Sequence, residues 1–175
     1  MELDRCLSSF SSPEILEAGN EWYCPKCKDH KLAQKQLNIY RAPKILILHL
    51  KRFKQKGTFK KEKNESLIHF PQALDLSPYV IDKKPVETYK EEIEEPIYIN
   101  PKAEDLPLIV TSTSSAPTYE LYAISNHFGG LGGGHYTAYA KNQGEWYEFD
   151  DSRVGSTRKK EIVSSSAYIL FYERK

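Results

Sequence analysis

The sequence has 175 residues, which is enough for one domain with a sizeable core but too few for two independent domains. Its 25 Lys and Arg residues balance 24 Asp and Glu residues, so a net charge of +1 gives no global field that would favour nucleic acid or a membrane. No apolar run approaches the ~18 residues of a membrane span, and residues 1–9 lack a secretory signal, so we expect a cytoplasmic or nuclear protein.

The first 40 residues predict a short helical region followed by a segment of undecided type. Apolar residues recur at helical intervals over residues 3–10 and again over residues 14–18. Ser12 and Pro13 suit the N-cap and the first position of the second of these helical stretches. Residues 31–39 have a mixed periodicity, so they fit a helix or a strand equally well.

A C-x-x-C pair, Cys24 and Cys27, has the spacing of one knuckle of a tetrahedral zinc ribbon. Zinc takes four ligands, and His30 follows Cys27 too closely to close a tetrahedron together with Cys6 without strain. We therefore expect half of a structural zinc site, with the second ligand pair outside this chain. Two alternatives stay open, a metal-free structural pair and a redox pair, and the redox pair would need a helix that starts at Cys24.

The second part of the chain predicts mostly β structure. Residues 45–50 are continuously apolar after Pro43, which is typical of a strand buried on both faces at the centre of a sheet. Further strands are predicted at residues 119–125, 136–140, 145–149 and 167–172. The acidic, low-complexity residues 82–118 predict a mobile insertion. The expected fold class is α+β, with a mainly antiparallel sheet.

Five glycines stand just before the predicted strand that starts at His135: Gly129, Gly130, Gly132, Gly133 and Gly134. Glycines permit positive φ and leave no side chains in the way of an approaching backbone, so an extended ligand could lie against this segment. The alternative is an ordinary flexible hairpin loop.

The strand that begins at His135 returns through a turn to two aspartates. A two-residue turn at Asn142 and Gln143 would place Asp150 directly opposite His135, and a turn that also includes Gly144 would place Asp151 there. Either carboxylate could hold one ring nitrogen and leave the other to take a proton from a nucleophile. This pattern predicts two members of a catalytic triad, although a structural hydrogen bond is the alternative.

The three cysteines offer no convincing nucleophile for such a triad. Cys6 lies in the apolar register of a helical segment, and Cys24 and Cys27 fit a metal knuckle. None of the three looks like an attacking thiol.

Four motifs, WYCPKC (22–27), PKILILHLKRF (43–53), GHYTAY (134–139) and WYEFDDS (146–152), resemble in order and spacing the ubiquitin-specific protease family, peptidase C19. The resemblance covers nearly all of the chain except residues 82–118 and is closest to members with a split catalytic domain. It implies a papain-like cysteine protease fold, with the palm in residues 43–81 and 119–175 and a zinc-ribbon fingers portion in residues 22–40. The family's cysteine-bearing helical thumb has no match here, so residues 1–175 are expected to be the C-terminal half of the catalytic domain.

The same resemblance implies a role for each site residue. His135 matches the general base, Asp150 the aspartate that orients it, and Asp151 a neighbouring polar residue that supports the site. The glycine segment at residues 129–134 matches the second blocking loop and residues 54–64 the first. These loops flank the channel for the ubiquitin tail, where Tyr136 is also expected to contact the substrate.

The expected function is that of a thiol-dependent deubiquitinase that cleaves isopeptide bonds at the C-terminal glycine of ubiquitin. Its expected partners are ubiquitin, ubiquitinated proteins and the N-terminal half of the protease domain, and the isolated chain should be inactive. A non-catalytic ubiquitin-binding or scaffold module is the first alternative. A small zinc or redox protein is the second.

Overall fold

The computed structural model describes residues 1–56, 60–81, 117–158 and 161–175. These ranges hold one α-helix, thirteen strands and one 3₁₀ turn at Ser77–Tyr79. The helix and strands are α1 Leu3–Ser11, β1 Glu14–Ile15, β2 Trp22–Cys24, β3 Asp29–Lys31, β4 Gln34–Lys35, β5 Ile45–His49, β6 Phe53–Lys56, β7 Lys60–Lys63, β8 Ala73–Asp75, β9 Thr118–Gly130, β10 Gly133–Asn142, β11 Glu145–Asp150, β12 Arg153–Ser156 and β13 Ala167–Arg174. No helix in these ranges has the length and apolar character needed to cross a membrane.

A seven-stranded antiparallel sheet carries the core. Its strands run in the order β12, β11, β10, β9, β13, β5, and β8 also pairs with β9. Leu3 and Leu7 of α1 share one buried cluster with Ile124 of β9 and Leu170 of β13. Each buried leucine stabilises the fold by roughly 1.5–3 kcal/mol through removal of apolar surface from water. The α1 helix therefore contributes to the core that packs against the sheet.

The prediction of a second helix at residues 14–18 is wrong. The α1 helix ends at Ser11, and its C-cap residue Ser12 has an extended backbone and donates a hydrogen bond from its hydroxyl to the carbonyl of Ser9. The short strand β1 follows and pairs with β4. Ile15 stays exposed, so these residues have no buried apolar face against which a helix could be stabilised. The undecided segment 31–39 contains the end of β3, the strand β4 and a bridge from Ile39 to Val80.

The prediction that residues 45–50 form a central strand is also wrong. The strand β5 lies at the edge of the sheet and pairs with β13. Leu46 and Leu50 are buried against the core, whereas Ile45 and Ile47 point to the other face and are exposed. The apolar run suggested burial on both faces, but the described part of the chain covers one of them.

The four remaining strand predictions are confirmed, and the strands are longer than expected. The glycine segment belongs to the sheet, because Gly130 pairs with Gly133 across a turn at Leu131 and Gly132. We refer to β9, this turn and β10 as the glycine hairpin. The predicted mobile insertion lies outside the described residues except for Pro117 and Thr118.

Candidate active site

The turn between β10 and β11 sets the geometry of the site. Asn142 pairs with Glu145, so the two turn residues are Gln143 and Gly144. Their φ angles are 48° and 90°, and a type I′ turn requires positive φ at both central positions. Both turns that the sequence suggested are therefore wrong in register.

The predicted contact between His135 and Asp150 is nevertheless confirmed. His135 Nε2 lies 2.5 Å from Asp150 Oδ1, and the two side chains are 49% and 41% exposed. Continued beyond its last pair, the observed register would place Thr137 opposite Asp150, so His135 and Asp150 meet diagonally. The bond leaves His135 Nδ1 without a partner among the described residues, and this nitrogen is available to take a proton.

Asp151 lies beside the pair in the turn that connects β11 to β12. Asp150 ends β11 and pairs with Arg153, so Asp151 takes a turn position with a φ of 50°. One ligand-type atom from each of His135, Asp150 and Asp151 lies within 4.8 Å of the others. The hydrogen bond goes to Asp150, which resolves the choice between the two aspartates that the sequence left open.

The cysteines are not part of this group. Cys6 lies in α1, Cys24 ends β2, and Cys27 follows in the next turn. Among the described residues, the cluster around the His135 ring consists of that histidine and the two aspartates. Within the described ranges, the structure thus brings a histidine and two carboxylates together without a thiol.

An open pocket of about 240 Å³ lies at the tip of the glycine hairpin. It is lined by Phe53, His127, Gly130, Leu131, Gly133, Gly134, Tyr136 and Tyr168. Four of the predicted substrate-binding residues, Gly130, Gly133, Gly134 and Tyr136, line this pocket. Gly129 and Gly132 belong to the same hairpin but do not line it.

Two of the glycines are required by close backbone packing. A Cβ at Gly134 would lie 2.3 Å from the Phe128 carbonyl oxygen and 2.5 Å from His127 Nε2. Gly129 has a φ of 94°, and a Cβ there would lie 2.8 Å from the Gly133 carbonyl oxygen. The sharp hairpin therefore depends on the absence of side chains at these positions.

Sequence reasoning missed His127, which is the centre of this pocket. Its side chain is 4% exposed, and its ring centroid lies 4.7 Å from that of Tyr136, 5.5 Å from that of Tyr168 and 5.6 Å from that of Phe53. Burial, with a smaller contribution from the charge of Lys63, lowers the pKa of His127, so the imidazole is held neutral. Phe53 and Tyr136 lie in two of the four motifs, but Tyr168 lies in none, so only the pairing of the strands reveals the cluster.

The C-x-x-C pair forms a turn at the end of the β2–β3 hairpin. The Cys27 N–H donates to Cys24 Sγ at 3.5 Å, and Lys28, with a φ of 53°, donates its N–H to the Cys24 carbonyl at 2.8 Å. The Cys27 N–H is also the main cause of a lowered pKa at the Cys24 thiol. The hydrogen bond with Cys24 and the charge of that thiolate raise the pKa of the Cys27 thiol, so Cys24 is the readier thiolate of the pair. No helix begins at Cys24, so the described residues lack the geometry that a redox pair needs.

Comparisons with known proteins identify the family. Residues 15–172 match the family model described as ubiquitin carboxyl-terminal hydrolase. The chain is 44% identical over 176 residues to ubiquitin carboxyl-terminal hydrolase 12 of Saccharomyces cerevisiae. This match covers 99% of this chain and 12% of that protein. It is 40% identical over 177 residues to ubiquitin carboxyl-terminal hydrolase 15 of Rattus norvegicus, over 99% of this chain and 15% of that protein.

Solved structures agree with this assignment. A structure of the yeast SAGA DUBm matches with 30% identity and a TM-score of 0.72, over 100% of this chain and 33% of that chain. The SAGA Ubp8/Sgf11/Sus1/Sgf73 DUB module bound to ubiquitin aldehyde matches with 30% identity and a TM-score of 0.72, over 99% of this chain and 33% of that chain. These matches confirm the expected α+β, papain-like cysteine protease fold.

The chain matches only a part of each relative. The chain spans 12% to 15% of the length of the two curated relatives named above and a third of each matched structure. The family match spans both the sheet and the hairpin that carries His135. From the motifs, the fold and these matches together, the chain belongs to the ubiquitin carboxyl-terminal hydrolase family.

Proposed function

We propose that this chain supplies the histidine and aspartate of a thiol-dependent deubiquitinase whose nucleophilic cysteine lies outside it. The observation that carries the proposal is the 2.5 Å bond between His135 Nε2 and Asp150 Oδ1, with His135 Nδ1 left available. The half-exposed position of this pair is consistent with a site that a second segment completes. The relatives are ubiquitin carboxyl-terminal hydrolases, which supports the choice of reaction.

The proposed reaction is acyl transfer to a thiol followed by hydrolysis. His135 Nδ1 takes the proton of the cysteine thiol, and the thiolate attacks the carbonyl carbon at the C-terminal glycine of ubiquitin. The lysine amine of the substrate leaves with the proton from the imidazolium, and a thioester remains. His135 then takes a proton from water, whose oxygen attacks the thioester and releases the carboxylate and the thiol.

The two aspartates are proposed to have different parts in this reaction. Asp150 accepts the hydrogen bond from Nε2–H, which fixes the tautomer and stabilises the imidazolium that forms during each half of the reaction. Asp151 is placed within 4.8 Å of the same group and adds negative charge close to the ring. The general base and its orienting residue are thus supplied by β10 and β11.

The glycine hairpin is proposed to form one wall of the channel for the extended ubiquitin tail. Gly129, Gly130, Gly132, Gly133 and Gly134 present a backbone edge without side chains, so another extended backbone can approach it closely. Tyr136 and His127 add an apolar surface in the pocket beside this edge. Ubiquitin and ubiquitinated proteins are therefore the proposed substrates.

Zinc is proposed to have a structural part only. Cys24 and Cys27 would each supply one thiolate, and two further ligands would come from outside the described residues. A bound zinc would cross-link the end of the β2–β3 hairpin to that second ligand pair. No step of the hydrolysis depends on it.

The test is complementation with a cysteine-bearing half of the protease domain and a fluorogenic ubiquitin amide as substrate. We expect no turnover by either half alone and turnover by the mixture. Turnover by this chain alone would contradict the proposed source of the nucleophile. If the mixture binds ubiquitin but never releases the fluorophore, the chain acts as a ubiquitin-binding module, and the complete aromatic pocket is the observation that favours this second candidate.

A further inference from the structure

The hairpin of β6 and β7 contacts the glycine hairpin at His127. Phe53 and Lys63 face each other across this β6–β7 hairpin. The Phe53 ring packs against the His127 ring with their centroids 5.6 Å apart, and Lys63 Nζ donates a hydrogen bond to the His127 carbonyl at 2.7 Å. One pair of facing residues therefore holds His127 by both its side chain and its backbone.

Lys63 is buried to a degree that is unusual for a lysine. Its side chain is 9% exposed, and the carboxylate of Glu65, which is 72% exposed, lies 3.9 Å away. An ammonium that is largely removed from water destabilises a fold unless hydrogen bonds compensate it. The hydrogen bond from the Lys63 ammonium to the His127 carbonyl compensates the loss of water around the ammonium. Because such a bond depends on direction and distance, it fixes the position of one hairpin relative to the other.

Arg52 fixes the base of the same hairpin. Its guanidinium is 3% exposed and donates from Nη1 to the carbonyls of Asn64 and Ser66, each at 2.9 Å. Its Nε donates to the Ala167 carbonyl at 2.7 Å. Asn64 directly follows Lys63 in the chain, so the position of the lysine is fixed by the arginine.

Arg52 also donates a hydrogen bond to a strand on the other side of the pocket. Ala167 is the first residue of β13, and the next residue, Tyr168, packs its ring against that of His127. Arg52 thus joins the segment that carries Lys63 to the strand that carries Tyr168. A planar guanidinium can donate to carbonyls in several directions at once, whereas the point charge of a lysine cannot reproduce this arrangement.

We infer that Lys63 and Arg52 are positioning residues that hold the β6–β7 hairpin against the glycine hairpin and so set the width of the substrate channel. This inference rests on the proposed function, since the channel is the one proposed for the ubiquitin tail. The described hydrogen bonds of Lys63 and Arg52 go to backbone carbonyls outside the group of His135, Asp150 and Asp151. A loss of either one changes the binding of the substrate, and the proton transfers at His135 are unaffected.

The experiment measures kcat and KM of the enzyme assembled from this chain and the cysteine-bearing half. Lys63→Met removes the ammonium but keeps the length of the side chain, and we expect a rise in KM of about tenfold with kcat within about twofold, because a charge-assisted hydrogen bond is lost. Lys63→Arg should restore most of the affinity. Lys44→Met is the matched control on an exposed lysine and should leave both constants unchanged.

A second variant keeps the inference testable if Lys63→Met does not fold. Arg52→Lys keeps the charge and loses the three-carbonyl arrangement, and it should also raise KM with little change in kcat. A fall in kcat at constant KM, or a lower melting temperature with both constants unchanged, would overturn the inference. His135→Ala separates a failure of this inference from a failure of the proposed function. If His135→Ala abolishes turnover while Lys63→Met and Arg52→Lys keep the wild-type KM, the proposed function stands and only this inference fails.

Discussion

At the residue scale, Asp150 and Asp151 are adjacent in sequence but differ in their relation to His135. Asp150 accepts the bond from Nε2, whereas Asp151 has a positive φ in the following turn and makes no such bond. Asp150→Asn should lower kcat on the order of 10⁴-fold, because an amide favours the wrong imidazole tautomer. Asp151→Asn should cost much less. The measurement is kcat of the assembled enzyme, and equal losses would contradict this assignment of roles.

Gly134 provides a test of the close packing at the glycine hairpin. Gly134→Ala brings a methyl group within 2.5 Å of two neighbouring atoms, one of them a backbone carbonyl oxygen, so something must shift. We expect a loss of roughly 1–3 kcal/mol in the free energy of unfolding, as for other overpacked positions. The matched control is Gly155→Ala, because a Cβ there would meet nothing within 4 Å. Denaturant titrations that give the same loss for both variants would contradict the packing described.

His127 makes the stability of the chain depend on pH. Its pKa is lowered in the folded state by burial and by Lys63, from an ordinary value of 6.5, so unfolded chains bind a proton first as the pH falls. Burial of His127 therefore costs no stability above pH 6.5, and the free energy of unfolding declines below that pH, by up to about 1.4 kcal/mol per pH unit.

The comparison of wild type with His127→Asn isolates this effect. The charged or titratable groups that face the ring are Lys63, Tyr136 and Tyr168, and the His127→Asn variant leaves all three in place. Unfolding titrations at pH 7.5, 6.5 and 5.5 should show a smaller pH dependence in the variant. Identical slopes would show that His127 is not held neutral.

At the element scale, the β10–β11 hairpin shows what the sequence could and could not predict. Its two strands could be predicted from strand propensity, and the pairing of His135 with Asp150 from the family resemblance, since spacing alone did not separate Asp150 from Asp151. The register could not, because three different turns fit the residues between the strands. The structure selects Gln143 and Gly144, and the glycine at the second turn position was the informative signal, since it takes positive φ without strain.

The β2–β3 hairpin is the element on which the zinc proposal is tested. Two thiolates leave half of a tetrahedral site open, so we expect much less than one zinc per chain after dialysis of the isolated chain. Metal analysis gives the answer directly. One tightly held zinc per chain, lost in Cys6→Ser or His30→Ala, would show that the chain completes the site itself.

At the scale of the whole molecule, the fold class could be predicted because strand patterns persist over most of the second part of the chain. The environment of β5 could not, because its apolar run is the same whether one or two faces are covered. Ile45 and Ile47 are exposed in the described structure. Whether the second face of such a strand is buried depends on which other elements pack against it, and the sequence of the strand does not specify those elements.

The pocket residues illustrate a second limit at this scale. Phe53, His127 and Tyr168 come from β6, β9 and β13, which are far apart in sequence. Only the pairing of β9 with β13 and the placement of β6 beside them bring the three rings together. The motifs identify the family, but the cluster emerges from the topology of the sheet.

The proposed role of His135 as the general base of a thiol deubiquitinase is tested by kcat of the assembled enzyme with ubiquitin amide. His135→Ala should reduce turnover by a factor on the order of 10⁶, because the members of a triad act as a unit. His69→Ala, on an exposed histidine outside the site, should keep the wild-type rate. A His135→Ala enzyme that turns over substrate as fast as the His69→Ala control would contradict the account.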